Sequence, residues 1–266
     1  MAAITRTTSG SAIGRVFEHR YLSYKRTFRA SIFSSFLSPV MFLAAMGIGL
    51  GAYVSDPSAL GGVPYLVFLA PGLLAATAMQ SASFESMFPI IAGLEWNRVF
   101  HAMYSTPLSP RDIALGNLAW IATRLTLICA IFTLVIVLFG AAQSPLIILA
   151  IPAAVLTGMA FAGPIAAFSA TQKTPNRFAT IFRFGITPLF LFSGTFFPIS
   201  SLPPIAQAVA WVTPLYQGVA LTRALSLGTA LDDPIAMLFH VLYLSTFAIV
   251  GAYLTVRLIE RRLVRG

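Results

Sequence analysis

Residues 193–204 read SGTFFPISSLPP and lie between two stretches that are rich in apolar residues. The following segment, IAQAVAWVTPLYQGVALTRALSLG (205–228), is long enough to cross a bilayer, because a spanning helix needs roughly 20 residues. Either SGTFFPISSLPP joins two membrane spans, or the chain enters the membrane there and turns back. The choice decides the fold, since one added crossing moves the carboxyl terminus to the opposite side.

The composition is that of an integral membrane protein. Of the 266 residues, 58% are hydrophobic and 9% are charged, whereas a soluble domain carries about 25% charged residues. The net charge of +9 does not indicate a nucleic-acid partner, because the basic residues stand at the ends of apolar runs, where they fix topology. We therefore predict an all-α polytopic membrane protein.

Six apolar runs are long enough to span the membrane. Six crossings place on one side the four segments that hold most of the lysines and arginines, so both termini are predicted to be cytoplasmic. A seventh crossing through 205–228 would put the basic tail RLIERRLVRG outside, against this charge bias. The predicted spans are 31–54, 64–90, 113–140, 145–170, 179–197 and 234–256.

Charge parity thus favours a re-entrant helical hairpin over residues 203–227, in the outer half of the membrane. Pro203 and Pro204 suit a helix start, and Pro214 divides the hairpin into two helices. Arg223 would be poorly tolerated on a lipid-facing span. Phe190 and Phe192, together with the next two phenylalanines, either form an apolar gate or face lipid. The residues assigned to the outer gate and hairpin are Phe196, Phe197, Pro198, Pro203, Pro204, Pro214 and Arg223.

The first 30 residues combine apolar residues at helical spacing with a basic background. This pattern predicts an amphipathic helix on the cytoplasmic membrane surface; a poorly ordered basic leader is the alternative. The domain assignment is a cytoplasmic segment over 1–30, a transmembrane domain over 31–256 and a basic tail over 257–266. The apolar positions of the helix are Ile13, Val16, Phe17, Tyr21, Tyr24 and Phe28.

The connector between spans two and three, GLEWNRVFHAMYSTPLSPRDIALG (93–116), joins charge to large aromatic surface. Residues 95–106 are predicted to form a short cytoplasmic helix, ended by Pro107, and Ser109 with Asp112 can cap the next helix. Aromatic and arginine side chains suit a docking surface; an ordinary interfacial connector is the alternative. The residues of the candidate docking surface are Glu95, Trp96, Asn97, Arg98, Phe100, His101 and Tyr104.

Three charged residues fall within predicted spans: Glu85, Arg124 and Arg183. A carboxylate in a span should be paired or hydrated, and Arg183 lies at a depth similar to that of Glu85. We therefore hypothesise a Glu85–Arg183 pair, with snorkelling to the interface as the alternative for both arginines.

Small residues at four-residue spacing predict close helix packing, either within the chain or with a partner. They are Gly47 and Gly51 in the first span, and Ala154, Gly158 and Ala162 in the fourth. The single cysteine, Cys129, is interpreted as a small apolar packing residue.

Catalytic and nucleotide-binding motifs are not found. The three histidines are scattered, and no GxxxxGK[ST] occurs, so any ATP must bind to another chain. No catalytic residue, metal site or cofactor is therefore assigned to this chain. Two other classes remain as alternatives: a polytopic membrane enzyme acting on lipid or glycan, and an ion-coupled carrier that uses the three intramembrane charges.

Four segments carry a family resemblance that covers nearly the whole chain. They are MFLAAMGIGLGAYV (41–54), YLVFLAPGLLAATAMQSASFES (65–86), EWNRVFHAMYSTPLSPRDIALG (95–116), and FSGTFFPISSLPP with WVTPLYQGVALTRAL (192–204 and 211–225). With them the chain resembles the transmembrane subunit of type-2 ABC export permeases, nearest to the NodJ-like and daunorubicin-resistance DrrB-like permeases. The most specific pattern is SGxxFP, a downstream LP, and then Pro214 and Arg223.

The resemblance implies six spans, an N-terminal connecting helix, a coupling helix over 95–106 and a re-entrant hairpin. It also implies two permease chains, identical or related, each docked on a cytoplasmic ABC ATPase that binds ATP and Mg. The expected function is outward movement of an amphipathic substrate, such as a drug, a lipid or a lipid-linked glycan, across the bacterial cytoplasmic membrane.

Overall fold

The computed structural model describes residues 10–25, 37, 40–50 and 62–265. These residues form helices and turns, and no strand occurs among them. The helices are α1 (Gly10–Lys25), a π-helical stretch (Leu43–Leu50), α2 (Tyr65–Ile91) with a π-helical extension (Ala92–Trp96), α3 (Val99–Tyr104), α4 (Pro110–Leu138), α5 (Ala150–Thr171), α6 (Asn176–Ile181), α7 (Thr187–Phe192), α8 (Pro204–Trp211), α9 (Pro214–Leu227) and α10 (Pro234–Arg265).

Four helical stretches in the described part of the chain are long and apolar enough to cross a membrane. They correspond to the predicted second, third, fourth and sixth spans. Half of the predicted first span, together with Phe28 and Gly51, lies outside the described residues, so the Gly47–Gly51 packing stays a prediction. The four stretches are Tyr65–Trp96, Pro110–Leu138, Pro145–Thr171 and Pro234–Arg265.

The predicted fifth span is shorter than expected. Helices α6 and α7 are joined by a π-helical turn over Phe182–Ile186, and the helix ends at Phe192 rather than at residue 197. Gly194 has φ of +77°, a left-handed conformation that glycine adopts readily and that ends a right-handed helix. The predicted boundary is therefore wrong by a few residues, because the glycine of SGTFFP already turns the chain.

Helix α5 lies at the centre of the bundle and packs against α2, α4, α9 and α10. A Cβ built on Gly163 would lie 2.6 Å from the carbonyl carbon of Gly251 in α10, so the two backbones touch. Gly158 contacts Leu125 and Ala78 in the same way. The small residues of the fourth span therefore serve packing within the chain, and fully buried Cys129 belongs to the same apolar interior.

Helix α4 begins at the predicted cap. The amide of Asp112 donates to Ser109 Oγ at 3.3 Å, and the Ser109 amide donates to Asp112 Oδ2 at 2.9 Å. Pro110 occupies the first helical position, where its missing N–H costs nothing. This capping box fixes where the connector between α2 and α4 ends.

The hairpin segment forms two short helices, α8 and α9, which begin at Pro204 and Pro214 as predicted. Two glutamines in this segment form hydrogen bonds inside the protein. Gln207 Nε2 donates to the carbonyl of Leu202 at 2.7 Å, and Gln217 Nε2 donates to the carbonyl of Trp211 at 2.5 Å. Gln207 thus joins the start of α8 to the turn before it, and Gln217 joins the start of α9 to the end of α8.

Candidate functional site

The connector between α2 and α4 is built differently from the single helix predicted over residues 95–106. Glu95 and Trp96 extend α2 as a π-helical turn, and α3 covers only Val99–Tyr104. Arg98 separates the two with φ of 48°, a left-handed conformation that costs a non-glycine residue about 1–2 kcal/mol. The single-helix prediction is wrong because the left-handed backbone of Arg98 interrupts the helix.

Phe100 holds α3 against the end of α2. Its side chain is fully buried, and a Cβ on Gly93 would lie 2.6 Å from its ring. Glycine at position 93 is therefore what lets the ring sit on the α2 backbone. The buried Phe100 ring therefore attaches the start of this short helix to α2.

An ion pair ties the same connector to the last helix. Arg262 Nη2 of α10 contacts Glu95 Oε1, and both side chains keep only part of their surface exposed. The pair crosses from the end of one candidate span to the end of another. The connector is thus joined covalently to α2 and α4 and by charge to α10.

The candidate docking residues divide into an exposed group and an anchored group. Trp96 is 54% exposed, and Asn97 and Arg98 are exposed beside it; we call these three residues the exposed tip. Phe100, His101 and Tyr104 face the protein instead. The Nδ1 atom of His101 is buried and has no hydrogen-bond partner among the described residues.

Helix α1 lies along the first half of α4. Val16 sits on Gly116, where an added Cβ would come within 2.6 Å of the valine Cβ. Phe17 and Tyr24 each meet the Trp120 ring edge to face, with centroids 5.5 Å apart. These contacts confirm a helix with one apolar face over residues 10–25.

Arg20 reaches from α1 into the bundle, which the sequence analysis did not anticipate. Its Nε donates to Asn117 Oδ1 at 2.7 Å, and its guanidinium lies 5.7 Å from the Phe100 ring centroid. Burial lowers the pKa of Arg20, while the nearby Glu85 carboxylate raises it. Arg20 falls seven residues after Ile13 on the apolar face, and a cation at such a position is the signal that could have revealed this role.

Glu85 of α2 forms its ion pair with Arg124 of α4. The hypothesis of a Glu85–Arg183 pair is therefore wrong, because the carboxylate is already engaged by the arginine on the neighbouring span. Arg183 is exposed and makes no ion pair with any residue that the structure describes. Arg124 also lies over the Tyr24 ring, 4.7 Å from its centroid, so α1, α2 and α4 meet at one charged centre.

At the opposite end of the spans, Arg223 joins the hairpin to the SGTFFP turn. Its Nη2 donates to the Gly194 carbonyl at 2.8 Å, and its Nε donates to the Phe68 carbonyl at 3.2 Å. The guanidinium carbon lies 3.8 Å from the Phe68 ring centroid. A Cβ on Gly72 would come within 3.0 Å of Arg223 Nη2, so α2 leaves room for this side chain.

The phenylalanines near this turn form two separate contacts rather than one cluster. Phe196 packs on Phe190 with centroids 5.0 Å apart, and it also approaches Phe42 at 6.1 Å. Phe192 and Phe197 form a second pair at 6.4 Å. Pro198 follows them and precedes a 3-10 turn over Ile199–Ser201, and Pro203 then caps α8.

Side chains suited to metal binding do not gather anywhere in the described ranges. No group of three histidine, cysteine, aspartate or glutamate residues is close enough there to hold a metal ion. The described residues instead form one exposed aromatic and cationic tip, which suits recognition of a partner, and two charged centres that join helices.

Comparison with known proteins identifies a family and several relatives. The ABC-2 type transporter family matches residues 12–227. Nodulation protein J of Sinorhizobium fredii is 34% identical over 250 residues, covering 94% of this chain and 93% of that protein. Nodulation protein J of Rhizobium leguminosarum bv. trifolii is 33% identical over the same length and the same shares of both chains. Nodulation protein J of Rhizobium meliloti is 31% identical over 249 residues, with coverage of 94% and 93%.

The match extends from helix α1 through the connector and the bundle to the end of the hairpin helix α9, which is most of the described chain. Several apolar helices long enough to cross a membrane accompany it. Permeases of this family work with an ATPase subunit. The chain belongs to the ABC-2 type transporter family and is a multi-pass membrane transport subunit of an ABC exporter.

Proposed function

We propose that this chain crosses the cytoplasmic membrane six times, with both termini in the cytoplasm, and moves an amphipathic substrate outward. A separate ATPase subunit binds ATP and Mg and supplies the energy. The family membership supports the transport role, and the concentration of lysine and arginine on one predicted side supports the orientation. Drugs, lipids and lipid-linked glycans are the candidate substrates.

The observation that carries the proposal is the exposed tip of Trp96, Asn97 and Arg98. A large aromatic ring and a guanidinium exposed side by side are the side chains that protein interfaces use as anchors. Their neighbours Phe100 and Glu95 are fixed to α2 and α10. A partner that binds the tip therefore binds a rigid extension of two spans.

The proposed mechanism follows from these attachments. Nucleotide binding closes the ATPase subunits and moves the exposed tip, and Glu95, Arg262 and Phe100 pass the motion to α2 and α10. Helix α1 moves with them, because the charged centre of Arg20, Glu85 and Arg124 links it to α2 and α4. ATP can drive this change only if the ATPase binds the two states of the bundle with different affinity.

The substrate path is proposed to end at the outer side of the membrane, beside the hairpin. The hairpin of α8 and α9 lies in the outer half of the membrane, over the exit between two permease chains, and the phenylalanine pairs at 190–197 line the exit. The first span, α2 and the α6–α7 stretch face the second permease chain, which is either identical or related. The exposed position of Arg183 supports a location where a partner chain or a substrate covers it.

Copurification tests the proposal. The tagged chain, extracted from native membranes in mild detergent, is expected to bring down a protein with Walker motifs, and Trp96→Ala with Arg98→Glu is expected to abolish that association. Trp211→Ala is the matched control, since Trp211 is equally exposed, at 54%, but lies in the hairpin. If the wild-type chain copurifies with no ATPase and vesicles that contain it transport without ATP, the exporter assignment fails.

A further inference from the structure

Helix α1 contacts helix α4 through Val16, Phe17 and Tyr24, and an open groove lies beside the Tyr24 contact. The groove has a volume of about 320 Å³ and is lined by Tyr21, Tyr24, Lys25, Trp120, Thr123, Arg124 and Leu127. This volume is at the lower end of the range for sites that hold small ligands. The exporter mechanism proposed above makes no use of it.

The walls of the groove are mainly apolar. Trp120 and Leu127 form the α4 side, and Tyr21 and Tyr24 form the α1 side. Tyr21 is 50% exposed, and the adjacent Leu22 is 53% exposed, although both lie on a helix that carries many charges. An apolar surface left open beside a candidate membrane span suits contact with an acyl chain rather than with water.

Two cationic side chains, Lys25 and Arg124, line the groove, and they differ in their contacts. Arg124 is paired with Glu85 and lies over the Tyr24 ring. Lys25 is exposed and makes no ion pair or hydrogen bond with the residues that the structure describes. In the sequence, Arg26 follows Lys25 directly and Arg29 comes four residues after it. The groove therefore combines an apolar interior with an uncompensated positive charge at its edge.

We propose that this groove binds one phospholipid with an anionic headgroup from the cytoplasmic leaflet. The acyl chain lies against Trp120, Thr123 and Leu127, and the phosphate group faces the Lys25 ammonium. The inference rests on the proposed cytoplasmic position of α1, because anionic lipids attract basic residues at that surface. A lipid bound there fills the gap between α1 and α4 and holds the connecting helix on the bundle.

Tryptophan quenching by brominated phospholipids tests the site. The chain has three tryptophans, so Trp96→Phe with Trp211→Phe leaves Trp120 as the only reporter. This full-length variant is placed in nanodiscs of unlabelled phosphatidylcholine that contain increasing fractions of brominated lipid. Brominated phosphatidylglycerol is expected to half-quench Trp120 at about a five-fold lower fraction than brominated phosphatidylcholine, the preference that one lysine near the headgroup supplies.

Two pairs of variants assign the preference to the groove. Lys25→Gln is expected to remove it, whereas Arg15→Gln, an equal loss of charge from an exposed position on the same helix, is expected to keep it. Thr123→Phe fills the groove and is expected to remove the preference with no change of charge. Thr126→Phe is its control, because Thr126 is also exposed on α4 and bonds its own helix as Thr123 does, but does not line the groove.

Three results would overturn the proposal. The first is equal quenching by the two brominated lipids in the parent protein. The second is a preference that survives in both Lys25→Gln and Thr123→Phe. The third is loss of the preference on adding millimolar inorganic phosphate, since that would identify a simple anion site without a lipid chain. None of these results depends on an ATPase partner, so the site can fail while the exporter assignment stands.

Discussion

Arg223 donates a hydrogen bond of 2.8 Å to the carbonyl oxygen of Gly194. The two residues belong to the most specific sequence pattern of the chain, the SGxxFP turn and the arginine that follows Pro214. The bond fastens hairpin helix α9 to the turn that ends α7, while the ring of Phe68 covers the guanidinium from α2. One side chain therefore joins three segments at the end of the bundle opposite to the connector.

Replacing Arg223 should destabilise this junction. We expect Arg223→Met to lower the free energy of unfolding by about 2–3 kcal/mol, because hydrogen bonds that involve a charged group contribute about 1.5–3 kcal/mol and two carbonyl acceptors lose their donor. Arg223→Lys should recover part of the loss, since an ammonium cannot reach both carbonyls in the same fork. Thermal unfolding of the purified protein in detergent measures the effect.

Arg257→Met is the matched control for that experiment. Arg257 also lies near an aromatic ring, 5.3 Å from the centroid of Tyr253, but it does so at the surface. Exposed substitutions of this kind change stability by about 0.5 kcal/mol or less. A loss for Arg257→Met as large as that for Arg223→Met would contradict the special role of the Gly194 contact.

A double-mutant cycle should distinguish the observed ion pair from the one expected from helix depth. We expect Glu85→Gln and Arg124→Gln to show a coupling energy of about 1–2 kcal/mol in unfolding, because both side chains contact each other and are mostly buried. Glu85→Gln and Arg183→Gln should be additive within about 0.5 kcal/mol. Coupling with Arg183 and none with Arg124 would reverse the assignment made here.

The sequence predicted the helical elements well because each prediction rested on local chemistry. The capping box at Ser109 and Asp112, the starts of α8 and α9 at Pro204 and Pro214, and the four long apolar helices all depend on neighbouring residues. Such signals act within one or two helical turns. They need no knowledge of which helices are adjacent.

Pairings between helices could not be predicted in the same way. Depth in the membrane placed Glu85 level with Arg183, but depth does not say which side chains meet, and Arg124 of α4 is the one that contacts Glu85. Arg20 was grouped with the other basic residues of the N-terminal segment, although it contacts Asn117 nearly a hundred residues away. The helix break at Arg98 was not predicted either, since an arginine in the left-handed conformation has no sequence signature.

The contact between Gly93 and Phe100 predicts a steric effect on the connector. We expect Gly93→Ala to lower the free energy of unfolding by about 1–3 kcal/mol and to weaken ATPase copurification, because the new Cβ overlaps the Phe100 ring. The double variant Gly93→Ala, Phe100→Ala should be no less stable than Phe100→Ala alone, since the overlap is gone. Gly14→Ala on α1 is the control: nothing lies within 4 Å of its added Cβ, so stability should rise by about 0.5–1 kcal/mol.

Two substitutions of Arg98 should affect the stability of the protein and its binding to the ATPase in different ways. Its backbone has φ of 48°, so Arg98→Gly is expected to raise the free energy of unfolding by about 1 kcal/mol through relief of the left-handed strain. The same change removes the guanidinium from the exposed tip, so ATPase copurification should fall. Arg98→Ala keeps the strain and also loses the charge, and is therefore expected to lose the partner without gaining stability. Equal stabilities for the glycine and alanine variants would mean that the backbone at residue 98 is not strained, and unchanged copurification in both would mean that the ATPase does not use this side chain.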